Sequence, residues 1–232
     1  MSRRLVQWGV IALAIVVALV TGWQGNEPAG EPEQSGTAVS TSPGDLPFDF
    51  FVLALSWSPT FCTTEAGRSA QLQCGLGADF GFITHGLWPQ FERGWPSYCQ
   101  SPYGDRMPDA IADDLLEIMP DRGLIQHQWD KHGTCSGLSP TDYAALIHQA
   151  TQQIALPETF ERGDGGTMNA STIEASFLAS NPDLTHDGIA LTCPNRRFAE
   201  VRICLDHDLQ PRACAEVDQN GCQANGLSVP AR

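Results

Sequence analysis

Apolar positions along the chain fall into distinct patterns, and the pattern changes mark out its elements. Leu5 to Val20 is an almost unbroken apolar run behind Arg3 and Arg4. Phe48 to Trp57, FDFFVLALSW, is a second continuous run of strand length, which predicts a strand buried on both faces. Ala78 to Trp88, ADFGFITHGLW, predicts another strand, turning at Gly86 and ended by Pro89, which has no N–H to give a ladder. The spacing of apolar residues then becomes helical. Pro108 to Met119 carries acids in its first turn, and Gly123 separates it from the stretch 127–135, HQWDKHGTC, which reads as a helix closed by Gly133. Ser139 as cap and Pro140 at the first position open a helix through YAALIHQATQQI. Ser171 to Glu174 has capping-box spacing and opens a short helix through Ala179. After His186 the runs GIALTC and RFAEVRICLD are strand-like again. Helices in the middle with strands at both ends predict an α+β domain, and no internal repeat is visible.

Composition adds a compartment. The basic start and the apolar run form a secretory leader over residues 1–22, and the alternative is an uncleaved membrane tether through residues 5–22. Residues 23–46 are rich in Pro, Gly, Ser and Glu and poor in large apolar side chains, so they read as a flexible linker. That leaves residues 47–232 as one catalytic-sized domain. Eight cysteines with no CxxC pair, behind an export signal, predict four disulfides in an oxidising compartment, periplasmic or secreted. The formal net charge is −14, becoming −16 without Arg3 and Arg4. A chain this acidic has no general basic surface for nucleic acid, so any RNA contact must come from a local cationic cleft.

The stretch 127–135 supplies such a cleft. It holds His127, Gln128, Lys131 and His132 within six positions, and Lys131 is the only lysine against twelve arginines. On a helix Gln128, Lys131 and His132 share one face, while His127 lies about 140° away from His132. At the helix C-terminal end the dipole favours an imidazolium at His132. Cleaving RNA by attack of a 2′-hydroxyl on its own phosphate needs a base, an acid and cations around the phosphorus, and no metal. Two imidazoles and an ammonium meet those needs at mildly acidic pH. The second imidazole is His85 in FITHGLWP, residues 82–89, with Trp88 three residues on and Trp95 in the nearby GWPSYC. Aromatic planes beside a phosphate site can stack a base, although each tryptophan taken alone would be read as core.

FITHGLWP and HQWDKHGTC, in this order and spacing, closely resemble the two active-site segments of the ribonuclease T2 family of secreted acid endoribonucleases, and FVLALSWSPTFC resembles its first strand and first cysteine. The resemblance covers roughly residues 47 to 225. It implies a central, mostly antiparallel sheet flanked by helices and stapled by disulfides, acting on single-stranded RNA as a monomer without a cofactor. His132 would take the 2′-hydroxyl proton, His85 would protonate the leaving oxygen, His127 would bind phosphate and Lys131 would stabilise the transition state. A 2′,3′-cyclic phosphate would form first and a 3′-phosphate later. Trp88 matches a base-stacking position, and Trp95 falls where many relatives have tyrosine. The implied bridges are Cys62–Cys74, Cys99–Cys135, Cys193–Cys222 and Cys204–Cys214.

One departure matters: many relatives have Glu where this chain has Gln128. An amide keeps hydrogen bonding but cannot shuttle a proton, and losing a carboxylate near imidazoles lowers their pKa values. Two rival readings use the same residues. A zinc hydrolase would need ligands four apart on a helix, whereas His127 and His132 are five apart and position 128 lacks the Glu of HExxH. A catalytically idle secreted binding protein with the same fold rests on Gln128 alone. His148, His186 and His207 lie outside both segments, and Arg196-Arg197 reads as a solvated pair able to meet a distal phosphate.

Overall fold

The computed structural model describes residues 46–232. The leader, the tether reading and nearly all of the linker therefore lie outside the described residues. Among the described residues no helix is long and apolar enough to cross a membrane.

Strand β1 (Phe50–Trp57) is the buried run that its apolar pattern predicts. Three short helices follow where the sequence pattern shows only a loop: α1 (Ser58–Phe61), α2 (Glu65–Ser69) and α3 (Gln71–Cys74). Strand β2 (Phe82–Gln90) starts later than its pattern indicates and continues through Pro89 instead of stopping before it. Helix α4 (Asp109–Leu115) leads into α5 (Arg122–Lys131), capped by the Asp121 side chain on the Leu124 N–H at 2.7 Å. Gly123, expected as a separator, lies inside that first turn. A 3₁₀ turn (Gly133–Cys135) follows, and then α6 (Pro140–Gln153), capped by Ser139 as its sequence indicates.

Beyond α7 (Glu158–Glu161) and β3 (Gly166–Met168), helix α8 (Ala170–Ser180) begins before Ser171, with Asn169 at its N-cap, so the capping box is not formed. Asn169 instead accepts the Gly226 N–H at 3.0 Å. The chain ends with β4 (Ile189–Thr192), β5 (Glu200–Leu205), α9 (Ala215–Gln219) and β6 (Leu227–Val229).

The main sheet has the order β2-β1-β5-β4, antiparallel throughout, and β3 pairs with β6 in a second small sheet. The fold is thus α+β, stapled by disulfides joining Cys62 to Cys74, Cys99 to Cys135, Cys193 to Cys222 and Cys204 to Cys214. Pro89 is tolerated because β2 is an edge strand, where a missing N–H faces no neighbour.

Alternation along β1 divides the molecule. Phe51, Leu53, Leu55 and Trp57 face the main core, with Leu115, Ile125, Trp129, Tyr143, Ile147 and Phe177 from the helices. The opposite face starts with Phe50, packed beside Trp88, and continues with three smaller residues, Val52, Ala54 and Ser56. These three form a low floor between β2 and β5, and the functional side chains meet across it.

Candidate active site

The register of β2 against β1 explains how one strand presents both His85 and Trp88. Three residues apart, they would point to opposite faces of a regular strand. The pairing shifts between Ala54, which faces Gly86, and Leu55, which faces Thr84, so His85 is an extra residue without a partner. Such a bulge re-aims a side chain. It brings His85 to the face that already carries Trp88, above the floor of small residues.

From the other side come the last turn of α5 and its end. The His132 N–H still bonds the Gln128 carbonyl at 3.0 Å, so His132 caps the helix. The next residue, Gly133, has no room for a Cβ, because the rings of Trp129 and Tyr143 occupy that space. Tyr143 of α6 also donates its hydroxyl to the Leu87 carbonyl on β2 at 2.5 Å, fixing both site segments with one side chain.

These elements enclose a cavity of about 390 Å³ lined by His85, Trp88, Trp95, His127, Gln128, Lys131 and His132, the seven residues singled out from sequence. Gln90, Arg202, Glu216, Val217 and Asn220 complete its wall. Trp88 is the hub. Its ring lies 5.2 Å from His132 in a stacked arrangement and 5.3 Å from His85 edge-on. The Arg202 guanidinium carbon stands over the same ring at 5.2 Å. The Trp88 indole N–H donates to Gln128 Oε1 at 2.6 Å, and Gln128 is only 2 % exposed. Gly86 lies against that bond, so that a Cβ there would overlap both Gln128 Oε1 and the indole nitrogen.

His132 is 5 % exposed and its Nδ1 is buried without a partner. Burial lowers its pKa from 6.5 to about 3, with Lys131, His127 and His85 adding to the fall. This reverses the sequence expectation of an imidazolium at the helix end. A helix terminus is worth about 0.3–1 kcal/mol, whereas burial of an ionisable group can shift it by several pH units. His132 is therefore a neutral imidazole across the mildly acidic range.

His85 has the opposite surroundings. Its Nδ1 lies 2.6 Å from Glu200 Oε2, and Glu200 Oε1 accepts from Arg202 Nε at 2.8 Å. Burial pushes the Glu200 carboxyl up, but the bond and charge of His85, with those of Arg202, outweigh it and hold the group below the usual carboxylate value. His85 also lines a second, smaller cavity of about 290 Å³, together with Ser56, Gln73, Asp121 and Leu124.

Trp95 is 58 % exposed. Its loop is held by Glu216 of α9, which accepts the Gly94 N–H at 3.1 Å, and by the neighbouring Tyr98 N–H on the Lys131 carbonyl at 2.9 Å. His148 pairs with Asp114 at 3.1 Å and His207 with the Phe48 carbonyl at 3.0 Å, both apart from the cleft. Arg197 bonds Thr63 at 3.0 Å and likewise does not line it. Among the described residues no group of three or more His, Cys, Asp or Glu side chains is arranged to hold a metal ion.

Sequence reasoning missed Glu200, Arg202 and Glu216. A signal for the first two existed: in RFAEVRICLD they are charges two apart on an otherwise buried strand, which places them on one face where apolar residues are expected.

The sequence profile described as the Ribonuclease T2 family matches residues 48–214. A protein named ribonuclease from Aeromonas hydrophila is 41 % identical over 174 residues, which is 69 % of this chain and 73 % of that one. Ribonuclease I of Escherichia coli (strain K12) is 26 % identical over 204 residues, covering 69 % and 76 % respectively. Among solved structures, an RNase-related protein from Calystegia sepium superposes with a TM-score of 0.63 at 23 % identity, covering 79 % of this chain and 97 % of its own, a likeness of fold.

Proposed function

Since the chain belongs to the ribonuclease T2 family, we propose that it is an endoribonuclease acting on single-stranded RNA through the 2′-hydroxyl, with His132 as base and His85 as acid. The observation that carries this reading is the difference between the two imidazoles that border one cavity: His132 is buried and neutral, and His85 is backed by a carboxylate.

A neutral His132 is ready to accept the 2′-hydroxyl proton as the 2′-oxygen bonds to phosphorus. The bond from phosphorus to the 5′-oxygen breaks as His85 gives that oxygen a proton from Nε2. Lys131 and His127 offset the charge that grows on the phosphoryl oxygens. The cyclic phosphate is then opened by water with the roles reversed, His85 taking the proton and His132 returning one to the 2′-oxygen. Because His85 borders both cavities, a phosphodiester beside it can lay one nucleoside in each. Trp88 already has His132 against its ring, so its first role is to orient that imidazole. Trp95, more open, offers the free stacking face. The four disulfides fit an exported protein.

Digestion of RNA at pH 5 in the presence of a chelator tests the proposal. The expected products are 2′,3′-cyclic phosphate ends that convert slowly to 3′-phosphates, with turnover falling by about 10²–10⁴ in His132→Ala. Cleavage that survives His132→Ala, or that stops on chelation, would overturn it.

A further inference from the structure

Glu200 sits on β5 opposite Ser56 of β1, and the small floor there lets its side chain cross toward β2. It is 6 % exposed, so its charge must be satisfied inside the protein. Its two oxygens have different partners. Oε1 takes Arg202 Nε at 2.8 Å, and Oε2 takes His85 Nδ1 at 2.6 Å. A carboxylate serving only as counter-ion to an arginine would favour the two-pronged fork that guanidinium geometry offers. Here one prong is given up to the imidazole. A carboxylate can only accept, so the proton of this bond belongs to Nδ1 and Nε2 is the nitrogen left for substrate. Position 128 cannot replace it, because its amide carries no charge and its Oε1 is taken by the Trp88 indole at 2.6 Å. Of the other charged or titratable groups lining the two cavities that His85 borders, Arg202 on β5, Lys131 and His127 on α5 and His132 at its end are cations or imidazoles, while the carboxylates of Glu216 and Asp121 are taken by the Gly94 and Leu124 N–H groups at 3.1 and 2.7 Å.

Building on the reading of His85 as the proton donor, we propose that Glu200 is the positioning residue for leaving-group protonation, holding Nδ1 of His85 so that Nε2 is aimed at the departing 5′-oxygen. In this chain the carboxylate that supports His85 comes from β5, while position 128 on α5, where many relatives have Glu, holds an amide. The carboxylate remains ionised throughout, and the only proton moved in the step is that from Nε2 to the 5′-oxygen as its bond to phosphorus breaks.

Two substrates separate positioning from a structural role: the best-cleaved dinucleoside phosphate, whose alkoxide leaving group needs a proton, and the 3′-(4-nitrophenyl phosphate) of its first nucleoside, whose phenolate leaves without one. Glu200→Gln keeps the size but turns an amide toward Nδ1–H. Its kcat on the dinucleoside phosphate should fall about 100-fold or more, between the loss of a partner that orients a metal-bound histidine and that of one that orients a catalytic histidine. KM and the rate on the aryl ester should stay within about threefold. Equal losses on both substrates, or a loss on neither, would overturn the proposal. His85→Ala, run on the same pair, judges the underlying reading separately. If His85→Ala spares the aryl ester while Glu200→Gln does not discriminate, only the role of Glu200 fails. If His85→Ala itself does not discriminate, the assignment of the acid fails. In the His85→Ala background Glu200→Gln should add no further loss. Should Glu200→Gln not fold, Glu200→Asp, which keeps the charge on a shorter arm, should show the same selective loss in smaller size, and an equal loss on both substrates overturns the proposal there too.

Discussion

Burying the imidazole of His132 makes two pH dependences run in the same direction. The unfolded chain binds a proton at this residue once the pH falls below 6.5, whereas the folded chain does not until about 3. Between these values folding stability therefore drops as the medium becomes more acid, by about 1.4 kcal/mol for each pH unit from this residue alone. Glu200 adds to this at the more acid end: held under its ordinary value, its contribution is complete above 4.5 and is lost as the pH falls from there through its folded value. Urea unfolding between pH 6.5 and 4.5 should accordingly show a shallower loss of stability in His132→Asn than in the parent, and equal slopes would contradict a buried neutral ring. The same residue links to position 128. Gln128→Glu preserves the acceptor for the Trp88 indole at 2.6 Å but sets a negative charge near His132. An opposite charge favours imidazolium, so the pKa of His132 rises and the acid limb of kcat/KM against pH moves upward. Turnover near neutrality should change by less than about tenfold, because His85, His132 and Lys131, to which the proposed mechanism gives the chemistry, are untouched. An increase of several orders of magnitude would mean that the native chain is nearly inactive.

The bulge in β2 gives this element its function, and Gly86 beside it is what allows α5 to approach. Gly86→Ala would push a methyl into Gln128 and the Trp88 indole. Overpacking of this kind costs about 1–3 kcal/mol. Activity should fall more than stability does, since the displaced ring is the one that stacks on His132, and paired thermal melts and rate measurements would check the ratio. Such detail is only partly legible in a linear chain. β1 and the Ser139 cap could be read because they depend on neighbours a few residues away. The seven cleft residues could be read because their motifs are compact. The continuation of β2 through Pro89 could not, since it depends on the strand being at the sheet edge, a property of the whole sheet. The charge of Glu200 on a buried strand was visible, but its partner was not, since it meets His85 across a separation of 115 residues. The helices between β1 and β2 and the small β3–β6 sheet are too short to show a period.

For the whole molecule the question is how a chain of net charge −14 handles a polyanion. The cavity concentrates Lys131, Arg202 and the histidines, while the overall charge repels RNA elsewhere. Binding should therefore rest on few phosphate contacts. With about three neutralised, the slope of log kcat/KM for single-stranded RNA against log salt should be about −2. A slope steeper than about −5 would mean that RNA is held by many more phosphate contacts than the cleft supplies. Lys131 has a further consequence, since it is the only lysine of the chain and lies half-buried in the cleft wall. Apart from the N-terminal amine, a reagent that acylates primary amines has one address on this protein. Coupling it to a support through amines would block the cleft, while a single acyl group counted by mass spectrometry, and withheld by a bound nucleotide, would report occupancy of the site without any turnover.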